Sequence, residues 1–175
     1  MARVGSLLHQ WWRDALIVVV FAFTAGTASY HIAAQVDSRL LGTWEVWFQS
    51  DTERIYSNMT DRWSAHYRTS VHPLFSLLTS PPVYALRTVF HLDRSIAVRL
   101  FISTVTALSL AAVVMLLRLL GCRRFDAVVF SLLMATSASS MFWFIVPETW
   151  PFGSFSIVLA LILVTVPPYP QSLHW

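Results

Sequence analysis

The 175-residue chain has no lysine, a single cysteine, five glycines and only 12% charged residues. Each scarcity excludes something. Soluble domains carry about 25% charged residues, and the 56% hydrophobic content puts this chain among integral membrane proteins. Cys122 by itself excludes an intrachain disulfide framework and a cysteine metal site, and its place beside Arg123 and Arg124 makes it a bystander at a membrane edge. With so few glycines there is no Gly-rich phosphate loop, and no G-x-S-x-G elbow supports a serine nucleophile. The HExxH pattern is also absent, so nothing has zinc-ligand spacing. All twelve basic residues are arginine, whose planar guanidinium forks suit phosphate. They are scattered between apolar runs, so the net charge of +3 forms no patch for nucleic acid.

What is abundant is charge-free length. Residues 15–34 are twenty residues without a charge, enough to cross a hydrocarbon core of about 30 Å as a helix and longer than the apolar core of a secretory signal. Residues 100–117, in a span of about 100–120, and 127–146 are the next two charge-free runs, rich in Ser, Thr and Ala that let helices approach closely in lipid. Residues 150–167 are shorter and end at Pro167-Pro168, a fourth span if Trp150 and Pro151 sit in the interface. The expected fold is therefore an all-α polytopic membrane protein, a single domain of about four spans. Residues 35–99 form its long extracytoplasmic loop. Within that loop, residues 73–92 are apolar yet carry Pro81-Pro82 and Arg87, which predicts two short interfacial helices broken at the prolines. Leaving that segment outside puts Arg3, Arg13, Arg118, Arg123 and Arg124 on the cytoplasmic side, as the distribution of arginines in short loops favours.

The polar residues gather in the stretch Asp51–Leu78 of this loop. Asp51, Glu53 and Asp61 are its acids, and Arg54, Arg62, Arg68, His66 and His72 its candidate anion-binding groups. That mixture suits a reaction in which a carboxylate takes a proton from a hydroxyl while cations hold a phosphate leaving group. A solvated juxtamembrane loop carries mixed charges too, and composition does not separate the two. Asp51 and Glu53 offer oxygen ligands for Mg²⁺ or Mn²⁺ at most, so any cofactor stays unknown. Asn58-Met59-Thr60 is a glycosylation sequon, a triplet common by chance, and Glu148 stands in the second outer turn, Pro147 to Trp150. Aromatics such as Trp44, Trp47, Phe48 and Trp63 fit interface anchors.

The order of these features has a family echo. A first span is followed by Asp51, Arg54 and Tyr56 in D-x-x-R-x-Y, then by His72-Pro73-Leu74, an apolar segment, and Ala97-Val98-Arg99-Leu100 opening the next span. This resembles the N-terminal part of GT-C superfamily glycosyltransferases that use polyprenyl-phosphate sugars, nearest to the protein O-mannosyltransferase and aminoarabinose transferase group. The resemblance covers residues 15–125. It implies Asp51 as the catalytic carboxylate and His72 near the donor phosphate. It also implies a lipid-linked sugar donor in a bacterial plasma membrane, with the N-terminus cytoplasmic. Thr52 replaces the family's usual second acid and Leu74 its second proline, and such enzymes have eight or more spans. The chain therefore reads as the N-terminal part of such an enzyme or a reduced form of one. The alternative from another class is a non-catalytic membrane scaffold whose loop binds lipid or a partner protein.

Overall fold

The computed structural model describes residues 2–36, 51–64 and 74–165, and among them every regular element is a helix. In chain order these are α1 (Ala2–Gln35), α2 (Thr52–Thr60), α3 (Phe75–Val89), α4 (Arg94–Leu119), α5 (Arg124–Ala135), α6 (Ala138–Trp143) and α7 (Trp150–Thr165). Two segments, Trp12–Gln35 and Arg94–Leu119, are long and apolar enough to cross a membrane. At 1.5 Å per residue α4 is about 39 Å long. Leu16, Val19, Val20 and Phe23 of α1 are all exposed in the isolated chain, an uncovered apolar face that supports membrane association.

Helix α4 is the axis of the molecule, packed against α1 on one side and α7 on another. The α1–α4 contact works because its residues are small. Gly26 lies so close to α4 that a Cβ there would be 3.1 Å from the Ala107 Cβ and 3.2 Å from the Ser103 carbonyl oxygen, the kind of backbone approach that small residues permit in lipid. Beside it, the Ser29 hydroxyl donates to the Phe144 carbonyl (2.7 Å) and lies 3.5 Å from Ser103 Oγ and 3.4 Å from Thr106 Oγ1. This buried polar knot ties α1, α4 and the segment after α6 together. At the Arg118 end, Asp14 of α1 receives a two-pronged pair from Arg118 (3.1 and 3.1 Å) and a third bond from Arg124 Nε (2.6 Å). That contact fixes the antiparallel register of α1 on α4.

Two expectations are corrected here. The uninterrupted run at 127–146 is two helices, α5 and α6, divided at Thr136–Ser137. The hydroxyls make the break affordable to the backbone: Thr136 Oγ1 donates to the Leu132 carbonyl, Ser137 Oγ donates to the Met134 carbonyl, and Ser137 Oγ accepts the Ser140 N–H as the cap of α6. Twelve residues of α5 reach only about 18 Å, short of a 30 Å core. Residues 124–148 nevertheless return from the Arg118 end of α4 to its Arg94 end. The fourth predicted span is the sixteen-residue α7, apolar but about 24 Å long.

The second correction concerns 73–92. Instead of two helices broken at the prolines, α3 runs unbroken through Pro81 and Pro82. Each proline leaves one carbonyl unbonded, on Leu77 and Leu78, and both residues lie on the exposed side. The other face carries Phe75, Thr79 and Val83 at four-residue spacing, all buried. Phe75 and Val83 belong to a core with Ile55 and Met59 of α2 and Ala97, Val98 and Ile102 of α4, extended by Phe152 of α7. Packing along this stripe spans the prolines and holds the helix continuous. At fifteen residues, about 22 Å, α3 is too short to cross the bilayer by itself.

Candidate functional site

The Arg94 end of α4 gathers α2, α3, the turn before α7 and the C-terminal end of α1. Helix α2 is amphipathic, burying Ile55 and Met59, and its C-terminal carbonyls are met by cations as the helix dipole favours. Arg87 Nη1 donates to the Thr60 carbonyl (2.7 Å), and Arg94 Nη2 donates to Thr60 Oγ1 (3.0 Å). Its N-terminal boundary is Asp51, whose carbonyl accepts the Ile55 N–H. The Asp51 side chain does not cap the helix. It faces Arg54 instead, 3.7 Å away, in a partly exposed pair worth no more than about 1 kcal/mol.

What pins this helix start is Glu148. Its Oε1 accepts the Asp51 N–H at 2.8 Å and its Oε2 accepts the Thr149 N–H at 2.8 Å. The residue is only 2% exposed. The carboxylate thus sits between the N-terminal ends of α2 and α7, where free backbone N–H groups and the positive ends of two helix dipoles stabilise an anion. Asp51, Arg54 and Glu148, picked out separately in the sequence, are brought to one place across a separation of 97 residues.

Not every candidate joins them. Arg62 lies past the opposite end of α2, its guanidinium 5.5 Å from the ring centre of Trp63. Asp61 is there too, accepting the Trp63 N–H. His66, Arg68 and His72 lie outside the described residues, as do Trp44, Trp47 and Phe48. Trp63 is 86% exposed, as an interface anchor would be. Asn58 is 0% exposed and accepts the Ser64 hydroxyl at 2.6 Å, so the sequon is a buried structural asparagine and not a glycan acceptor. For the Mg²⁺ or Mn²⁺ that Asp51 and Glu53 could serve, no group of three or more His, Cys, Asp or Glu side chains that could hold a metal ion exists among the described residues.

Beside Glu148 lies a feature that reading the loop missed. Ala33 and Val36 of α1's end, Tyr56, Ser95, Val98, Arg99, Ile102, Ile145 and Pro147 line a small, partly open cleft of about 20 Å³, room for about one water. Asp51 is not among its lining residues. Burial pushes the Tyr56 phenol above its ordinary value, offset in part by the positive field of Arg94, Arg87 and Arg99, so its O–H stays protonated and can donate. The Arg99 guanidinium is stacked 5.7 Å from the ring centre of Tyr30. The signal for Arg99 was available: an arginine one turn inside an otherwise apolar span marks a functional position. Comparison of the chain with protein-family models, with characterised proteins and with solved structures finds no match.

Proposed function

We propose that this chain is a membrane glycosyltransferase of GT-C type, or part of one, moving a sugar from a polyprenyl-phosphate donor to an acceptor hydroxyl at the outer bilayer surface. In this reading α1 and α4 are complete spans, the α5–α6 pair and α7 complete a four-span arrangement, α3 lies at the interface, and the N-terminus is cytoplasmic. The observation that supports it is the junction of Asp51 and Glu148, which seats acids from the first outer loop and the second outer turn beside Arg54. Nucleotide sugars stay in the cytoplasm, whereas a lipid-linked sugar is presented where this junction lies. Asp51, partly exposed beside Arg54, would take or orient the acceptor proton. Glu148, buried and bonded to two backbone amides, would position Asp51 and not react itself. Arg54, the cation that faces Asp51, would neutralise the departing phosphate.

The test is turnover of a radiolabelled polyprenyl-phosphate sugar by membranes containing the full-length protein. Asp51→Asn keeps the size and removes the basic carboxylate, so the rate should fall about 10²–10⁴-fold with donor binding little changed. Asp61→Asn should cost far less, because Asp61 only accepts a local backbone N–H. Normal turnover by Asp51→Asn removes that residue from the mechanism. A well-inserted wild-type protein that leaves every lipid-linked sugar intact returns the chain to the scaffold reading, in which the exposed apolar faces of α1 and α7 meet partner helices.

A further inference from the structure

The Asp14 end of α4 concentrates cations that the site at the other end does not use. Around the clamp described above, Arg13, Arg118, Arg123 and Arg124 outnumber Asp14 and Asp126. Asp14 holds Arg118 at 3.1 Å and Arg124 at 2.6 Å, and one carboxylate on two guanidinium groups leaves that cluster positive. Arg118 also donates to the Cys122 carbonyl, and Asp126 lies in the first turn of α5, where the helix dipole favours an acid. The other two arginines are not absorbed in this way. Arg123 is exposed, its backbone carbonyl accepts the Ala127 N–H, and its guanidinium has no partner among the described residues. Arg13 is exposed too, and its contact is the ring of its neighbour Trp12, 5.7 Å from the ring centre.

Trp12 opens the first apolar segment and Leu119 closes the second, so with α1 and α4 across the bilayer these arginines stand where hydrocarbon gives way to head groups. Their neighbours along the chain are apolar and turned outward. Trp12 is 50% exposed, Leu120 59% and Phe125 76%. A soluble anion would use the arginines and leave these three side chains in water. A zwitterionic lipid carries its own cation beside the phosphate, which offsets the attraction. An anionic phospholipid satisfies both halves of the surface, because its net charge lies at head-group level directly over its own acyl chains. Arginine clusters at the end of a membrane span are drawn to such lipids, and the guanidinium fork suits the phosphate oxygens.

We propose that the Asp14 end is a binding surface for anionic phospholipid, with Arg123 and Arg13 contacting head-group phosphates and Trp12, Leu120 and Phe125 packing on the first carbons of the acyl chains. The clamp of Asp14 on Arg118 and Arg124 ties α1, α4 and the start of α5 together, and so fixes the frame that presents the two exposed cations. This surface is at the opposite end of α4 from Asp51 and Glu148. It rests on α1 and α4 crossing the bilayer and not on any reaction at the other end.

The full-length protein in a neutral detergent is titrated with dioleoyl phosphatidylglycerol and, in parallel arms, with dioleoyl phosphatidylcholine and glycerol 1-phosphate, the bound ligand being counted by native mass spectrometry. Phosphatidylglycerol should bind saturably and more tightly than phosphatidylcholine. Arg123→Gln and Arg13→Gln should each weaken it about fivefold, and the double variant about twenty-fivefold. Arg123→Lys, which keeps the charge, should stay closer to wild type than Arg123→Gln does. Arg62→Gln removes one charge at the opposite end and should bind as wild type does. Without added lipid, Arg123→Gln should unfold at the wild-type temperature, because its guanidinium holds no other part of the fold, and a lost affinity is then not a folding artefact. Equal affinity for phosphatidylglycerol and phosphatidylcholine would overturn the proposal. Equal loss in Arg62→Gln and Arg123→Gln would mean diffuse attraction to the whole protein and overturn it too. Binding of glycerol 1-phosphate as tight as that of phosphatidylglycerol would overturn the lipid as occupant. Any of these results leaves sugar turnover and its Asp51 dependence untouched, and lipid binding without sugar turnover removes only the glycosyltransferase.

Discussion

A carboxyl group that is 2% exposed needs partners in place of water, and Glu148 accepts the Asp51 and Thr149 backbone N–H groups. Glu148→Gln is then a defined injury. Glutamine keeps one acceptor and turns the other oxygen into an NH₂ donor, so either the Asp51 or the Thr149 N–H is left facing a donor. The expected loss is about 1–3 kcal/mol, measured by thermal unfolding in detergent, and an unchanged unfolding temperature would show that Glu148 does not hold the α2 start. Asp93 gives a pH-dependent case at the same scale. The Ser95 hydroxyl, and after it the Ser95 amide, hold its carboxyl below the ordinary carboxylate value. A depressed folded-state pKa means that this contribution is full above about pH 4, the unfolded value, and fades as pH falls through the lower folded one. Unfolding temperatures of wild type and Asp93→Ala should therefore differ near neutrality and converge in acid. A gap of constant size down to low pH would show that the cap does not depend on the charge.

Among the elements, α1 and α4 were legible because charge-free length is a coarse signal that survives any detail of packing. The α5–α6 break was visible only as Thr136-Ser137-Ala138-Ser139-Ser140, a cluster of hydroxyls that counts as nearly neutral in a search for apolar runs, while its effect lies in side chain to backbone bonds. Helix α3 misled in the opposite direction. Pro81-Pro82 carries a strong local preference for a break, and the Phe75, Thr79 and Val83 stripe overrides it through contacts with α2 and α4 that no local pattern encodes. The site was half legible on the same grounds. Asp51 and Glu148 stand out as acids at span ends, but the bond between them is set by how α2 and α7 pack, and the place of Arg99 over Tyr30 is set by how α1 packs on α4. The continuity of α3 is testable: Pro81→Ala restores one backbone bond in an unbroken helix and should stabilise the protein by up to about 3 kcal/mol. If the chain really broke at the prolines, that substitution would be neutral or destabilising, because the break would lose its stop signal.

For the molecule as a whole the two ends of α4 differ in chemistry, and this turns orientation into two separable questions. Asp14, Arg118 and Arg124 interlock at one end, and Asp51 meets Glu148 at the other, with an α4 of about 39 Å between them. Ser57 in α2 and Thr149 beside Glu148 must therefore emerge on one face of the membrane, and Cys122, between Arg118 and Arg124, on the other. In the proposed orientation the Asp14 end, flanked by Arg13, Arg118, Arg123 and Arg124 in short segments, is the cytoplasmic one. Ser57→Cys and Thr149→Cys, each made in a Cys122→Ser background, should react with a membrane-impermeant maleimide on intact cells. Native Cys122 should react only after the cells are opened. Inverted labelling at all three positions would keep the fold and reverse its orientation. Labelling of positions 57 and 149 from opposite faces is the more damaging result, because no rigid arrangement with the Asp51–Glu148 bond intact permits it, and the candidate site would be lost with it.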